Sequence, residues 1–147
     1  MCVCVECIDG VAYKVGLSAE FSKTISESDV YMFAGITGDM NLIHINEVKA
    51  AQSFAKKRIV HGALVSGMIS TVIGMKLPGP GTIYMEQDSK FIKPVFLGDT
   101  IRAVVEVQEI LNEKKGILKL NTVVFNQNDE IVLTGFAIVM ATEGVHS

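Results

Sequence analysis

No run of lysine and arginine longer than Lys56-Lys57-Arg58 occurs in the 147 residues, and the formal net charge is -3. The electrostatic footprint of a nucleic-acid binder is therefore missing. No apolar stretch reaches the ~20 residues that a bilayer span requires. The longest, GALVSGMISTVIGMKL (Gly62 to Leu77), carries Ser66, Ser70 and Thr71 and reads as a buried core helix. The start, MCVCVECIDG, lacks the basic and long apolar regions of a secretory signal, which leaves the cytoplasm as the expected compartment. Its Cys2, Cys4 and Cys7 have no further Cys or nearby His to complete a tetrahedral metal site. They are expected as reduced thiols on an edge strand or a loosely ordered leader over residues 1–14. No internal repeat, low-complexity tract or Pro/Ser-rich linker divides the chain, so one domain over residues 1–147 is expected.

What is present is apolar. Hydrophobic residues make up 49% of the composition against 20% charged, a balance that leans towards extensive burial or a subunit interface, and so towards a homo-oligomer. The texture changes at Leu77-Pro78-Gly79-Pro80-Gly81, with helical pattern before this turn signal and strand pattern after it. Val15 to Ser22 reads as a short strand. Ser26, with Asp29 three residues on, caps a helix through about Ile36, which Gly38 breaks. Asn46 caps a second helix carrying Val48, Ala51 and Phe54, and Gly62 opens the apolar one. Thr82 to Val95, Thr100 to Asn112, Gly116 to Gln127 and Ile131 to Thr142 are rich in β-branched residues, with short polar connections suited to antiparallel neighbours. Ile101, Ala103, Val105 and Val107 alternate with Arg102, Val104, Glu106 and Gln108, the period of a sheet covered on one face. The expected architecture is α+β, an antiparallel sheet curled round a long helix.

Two segments carry chemistry. In TGDMNLIHIN (Thr37 to Asn46), read as a loop, Asp39 and His44 bring together a carboxylate, a residue type that accepts protons, and an imidazole, one that exchanges them, so the pair can hold and polarise one water. Asn41 can bond the loop backbone or orient that water. An Asp after a Gly at a helix end is also an everyday turn residue, and a His among Leu42, Ile43 and Ile45 can be a half-buried core residue. In IVHGALVSGMIS (Ile59 to Ser70), the Gly62 N–H at a helix N-terminus suits a developing oxyanion. Equally, Gly62 can serve the turn alone, and Ser70 can bond back to a carbonyl.

The ordered segments FAGITGDMNLIHIN, IVHGALVSGMIS and LPGPGTIYMEQDSKFIKPVFLGDTIRAVVEV together resemble the MaoC-like dehydratases, (R)-specific 2-enoyl-CoA hydratases with the hot-dog fold. The resemblance implies an Asp39/His44 catalytic pair supported by Asn41. It also implies Gly62 as the donor to the thioester oxygen, Ser70 in the substrate site and a chiefly structural His61. It implies reversible hydration of a short or medium trans-2-enoyl-CoA, or dehydration of a 3-hydroxyacyl-CoA, by a homodimer or higher even oligomer without metal or other cofactor. Rival readings are a 3-hydroxyacyl-acyl-carrier-protein dehydratase, a hot-dog thioesterase and a non-catalytic acyl-CoA binder. Leu42 stands where the family carries proline, and the CVCVEC leader has no place in the family pattern. Lys56, Lys57 and Arg58, with Lys90 and Lys93, read as a solvated charged face rather than a CoA phosphate site.

Overall fold

A computed structural model describes residues 13–142. The cysteines Cys2, Cys4 and Cys7, and the leader or edge strand expected there, lie outside the described residues. The elements run β1 (Ser18–Thr24), α1 (Glu27–Thr37), α2 (Leu42–Ile45), α3 (Glu47–Ala51), α4 (Gly62–Met75), β2 (Ile83–Phe91), β3 (Thr100–Asn112), β4 (Ile117–Phe125) and β5 (Ile131–Met140). The strands form one sheet in the order β1-β3-β4-β5-β2, every neighbouring pair antiparallel.

The alternation in β3 places Ile101, Ala103, Val105 and Val107 inside, each no more than 1% exposed. They face α4, which lies across β3 and β1 and buries Val65, Ile69, Val72 and Ile73. The α+β arrangement of sheet and covering helix is thus the one the pattern predicts. The helix is covered less completely than its apolar composition suggests: in the single chain Ala63, Ser70 and Met75 remain exposed on its outer side. The sheet can bury only one side of a cylinder, and nothing else among the described residues covers the other.

Helix α1 begins as its sequence dictates. Ser26 Oγ accepts from the Asp29 N–H at 3.1 Å while Asp29 Oδ2 accepts from the Ser26 N–H at 2.9 Å, a complete capping box. Gly38 ends the helix in the left-handed conformation, φ 84°, donating to the Ala34 carbonyl. That Ser26 N–H bond is the main reason the Asp29 carboxyl is held below its ordinary value. Its contribution is present at neutral pH and lost as the pH falls through the lowered value. Ser26→Ala is expected to cost about 1 kcal/mol, read in a thermal melt as a fall of roughly 3 to 5 °C; an unchanged melt would show that the box adds nothing.

Strand β1 runs Ser18–Thr24 rather than Val15 to Ser22, and three further departures from expectation have local reasons. His44 sits on a one-turn helix rather than a loop, because Asn41 Oδ1 accepts the Ile43 N–H at 3.2 Å and caps α2. Helix α3 stops at Ala51, three residues before Phe54, where the Ser53 hydroxyl and N–H both turn back to the Ala50 carbonyl. Strand β2 ends at Phe91 rather than Val95, short of Pro94, which has no N–H to give to a ladder.

One close approach holds the sheet together near this end. Gly135 of β5 pairs with Ser89 of β2 and Thr122 of β4, and a Cβ built on it would stand 1.8 Å from the Asp88 carbonyl oxygen.

Candidate active site

The end of α1, the turn α2 and the start of α4 converge. Asp39, His44 and His61 each place a nitrogen or carboxylate oxygen within 4.8 Å of the others. Asp39 is exposed, whereas His44 is 8% and His61 1% exposed. The Asp39 N–H donates to Thr37 Oγ1, and the Asn41 N–H donates to Asp39 Oδ1, each at 3.2 Å. This Asx turn leaves Oδ2 available to a water. Asn41 uses its side-chain oxygen to cap α2, so its amide N–H₂ is the part left to face a ligand.

His44 Nδ1 donates to the Ile59 carbonyl at 2.7 Å. A carbonyl only accepts, so the proton is on Nδ1 and the free lone pair is on Nε2. Ile59 is itself held: the Arg58 guanidinium donates to Glu27 at 2.7 Å and to the Tyr31 hydroxyl at 2.9 Å, tying the segment to α1. The Tyr31 hydroxyl, with the Arg58 guanidinium beside it, holds the Glu27 carboxyl below its ordinary value. Arg58 is thus engaged in structure. Lys93, which pairs with Glu130, also lines the cavity that holds His44 and Gly62, and the Lys57 ammonium lies 4.1 Å from the centre of the Phe96 ring.

Helix geometry leaves the Gly62 N–H, the first of α4, without an intrahelical acceptor. Gly62 and His44 share the wall of a cavity of about 530 Å³, with the apolar side chains of Phe54, Val65, Phe91 and Val132. Phe91 lies so close over Gly62 that a Cβ there would come within 2.9 Å of its ring. Ser70 is exposed and not in this wall. Eight residues at 3.6 per turn carry it about 80° round the helix from Gly62. Ser66, one turn from Gly62, instead meets Ser89 of β2 at 3.2 Å. The Phe91 contact and the Ile59 carbonyl are absent from the sequence reading; a main-chain acceptor and a contact between distant segments leave no local signal.

A divalent ion does not suit the Asp39, His44 and His61 donors as they stand. The two imidazoles lie 3.9 Å apart and within 29° of parallel. Ligand lone pairs lie in the ring planes, so two stacked rings aim theirs side by side rather than at one tetrahedral centre.

The sequence model of the MaoC-like domain matches residues 12–128. The chain belongs to the MaoC-like dehydratase family. Among MaoC-like relatives, the (R)-specific enoyl-CoA hydratase of Rhodospirillum rubrum is 46% identical over 86% of this chain and 87% of its own length. The 3-hydroxybutyryl-CoA dehydratase of Methylorubrum extorquens is 44% identical over 86% of this chain and 79% of its own. The unliganded R-hydratase of Pseudomonas aeruginosa superposes with a TM-score of 0.84 at 42% identity, covering 89% of this chain and 83% of that one. This MaoC-like chain therefore has the hot-dog fold that its sequence segments suggest. No helix among the described residues is long and apolar enough to cross a membrane.

Proposed function

We propose that the chain is an (R)-specific enoyl-CoA hydratase, adding water reversibly across a short or medium trans-2-enoyl thioester. The observation that carries this reading is the fixed tautomer of His44, which turns a free Nε2 lone pair away from Ile59 while the ring lies in the same cavity wall as Gly62. Asp39 and His44 hold one water. It loses a proton to the pair as its oxygen bonds to C3, electrons move through C2 to the thioester oxygen, and a proton returns to C2. Overall, H and OH are added across the double bond and nothing leaves. The growing negative charge on the thioester oxygen is met by the Gly62 N–H; loss of one such donor in other enzymes costs about 10² to 10³-fold. His44 protonated on both nitrogens keeps its bond to Ile59, so accepting a proton does not turn the ring.

Support for CoA as the carrier comes from the two bacterial relatives, and the cytoplasm is the compartment where such a substrate is met. A homodimer completes the proposal. Strand β2 is a sheet edge among the described residues, and Ile83, Met85 and Phe91 along it are each at least 49% exposed, an edge that proteins ordinarily pair or cover. Light scattering is expected to give twice the chain mass of 15.9 kDa, and Met85→Lys is expected to shift the balance to monomer; a wild-type monomer would remove this part.

The test of the reaction mixes the protein with crotonyl-CoA and follows enoyl absorbance and free thiol together. Hydration lowers the first and leaves the second unchanged. Thiol release would mean a thioesterase, no change in either a binder, and activity only on a crotonyl carrier protein would move the substrate to that carrier. Coupling to a stereospecific 3-hydroxyacyl-CoA dehydrogenase reads the product, and an (S) alcohol would overturn the assignment.

A further inference from the structure

We propose that His61 is a positioning residue for this reaction, the side chain that sets the distance between the water-holding pair and the Gly62 N–H. The proposal rests on the hydratase reading. His61 is the N-cap of α4, yet its side chain makes no capping bond. Its Nε2 instead donates to the main-chain carbonyl of Asp39 at 3.0 Å. Its ring stacks on His44, centroids 3.9 Å apart, and meets Phe33 at 4.8 Å with the rings tilted by 54°. The other nitrogen, Nδ1, is buried without a partner.

An unpaired buried nitrogen costs stability, and a phenylalanine would fill a similar space without one. Over phenylalanine, the imidazole offers the Nε2–H on Asp39 and a more polar face towards His44. Both contacts end on the proposed proton pair, and the next residue along the chain is Gly62. Three constraints therefore meet in one residue: the height of the Asp39 turn, the plane of the His44 ring and the start of the helix that offers the oxyanion donor. Asp39 lies on an exposed turn whose other bonds are local, so this long-range bond is what ties its main chain to α4. Reacting groups tolerate little error; a displacement of about 1 Å can cost about 10²-fold in rate.

The two contacts can be separated in the full-length chain. His61→Phe keeps a ring beside His44 and removes the donor to Asp39, whereas His61→Gln keeps an amide N–H near the place of Nε2 and removes the ring. His61→Phe is expected to lower kcat for crotonyl-CoA about 10²-fold, with KM within about threefold and the melting temperature no lower than wild type. His61→Gln is expected to retain more of kcat than His61→Phe, even if it melts earlier. A role in packing alone would give the opposite order, with activity following stability, and that result overturns the proposal. So does a His61→Phe variant with wild-type kcat.

Long-range proton–nitrogen NMR of the imidazoles tests the placement without turnover. Wild type is expected to carry its protons on His44 Nδ1 and His61 Nε2, and His61→Phe to shift the His44 signals. A wild-type His61 protonated on Nδ1, or His44 signals unmoved in the variant, overturns the proposal. If wild type fails to hydrate crotonyl-CoA, the functional reading falls, and these spectra still decide whether His61 positions the pair. If His61→Phe does not fold, the wild-type proton positions decide it.

Discussion

Asp39→Asn is expected to lower kcat for crotonyl-CoA hydration by about 10² to 10⁴-fold, the span that a positioned acid or base contributes, with KM changed by no more than a few-fold. The substitution is nearly isosteric, and the amide oxygen can still accept the Asn41 N–H that now bonds to Oδ1. Asp39 is exposed, so its new N–H₂ finds water and the fold is expected to be unaffected. What is lost is the anion beside His44, together with the lone pairs of Oδ2. Adding His44→Ala to Asp39→Asn is expected to cost much less than the product of the two single losses, because groups that act as a unit are not additive. Steady-state rates and a thermal melt on the same preparations check this. Wild-type turnover by Asp39→Asn would sink the mechanism, and a matching fall in melting temperature would move the residue from chemistry to structure.

Gly135→Ala is expected to be the most damaging single-methyl change in the sheet. Its new Cβ would stand 1.8 Å from the Asp88 carbonyl oxygen, 2.7 Å from the Asp88 carbonyl carbon and 3.2 Å from the Ser89 Cα. All three are main-chain atoms, so no rotamer change relieves the contact. Strand β2 must retreat from β5 near the Phe91 end of a pairing that runs from Ile83 to Phe91. Overpacking commonly costs 1 to 3 kcal/mol, and a backbone displacement belongs at about 3 kcal/mol or above, a loss of roughly 10 °C or more in melting temperature. Because Phe91, at the end of the same strand, covers Gly62, hydration is expected to fall alongside stability. A melt within about 2 °C of wild type would show that the strands can part there without loss.

Local chemistry made much of this molecule legible. Ser26 and Asp29 announce a capping box because both partners are within three residues, and the alternation from Ile101 to Val107 announces a buried face because strand geometry repeats every two residues. Asp39, Asn41 and His44 share a short segment, so their proximity follows from the chain itself. The Gly62 helix start could be read from residue type, but not the ring of Phe91 across it, which arrives from β2 by a separate route. Ser70, matched by its spacing along α4, is exposed in the single chain and lies outside the cavity wall. His61 was legible only as half of a His-Gly pair, since its partners Phe33, Asp39 and His44 are fixed by how α1 and α4 meet. Leu42, in place of the family proline, still occupies the first position of α2, and the Asn41 cap supplies the turn there.

The acceptor that orients His44 is the main-chain oxygen of Ile59, while the same residue lines the largely apolar cavity. Any amino acid placed at 59 brings that oxygen with it. Residue 59 is therefore a design handle: the shape of the cavity can be varied there with larger or smaller side chains while the oxygen that orients His44 stays in place.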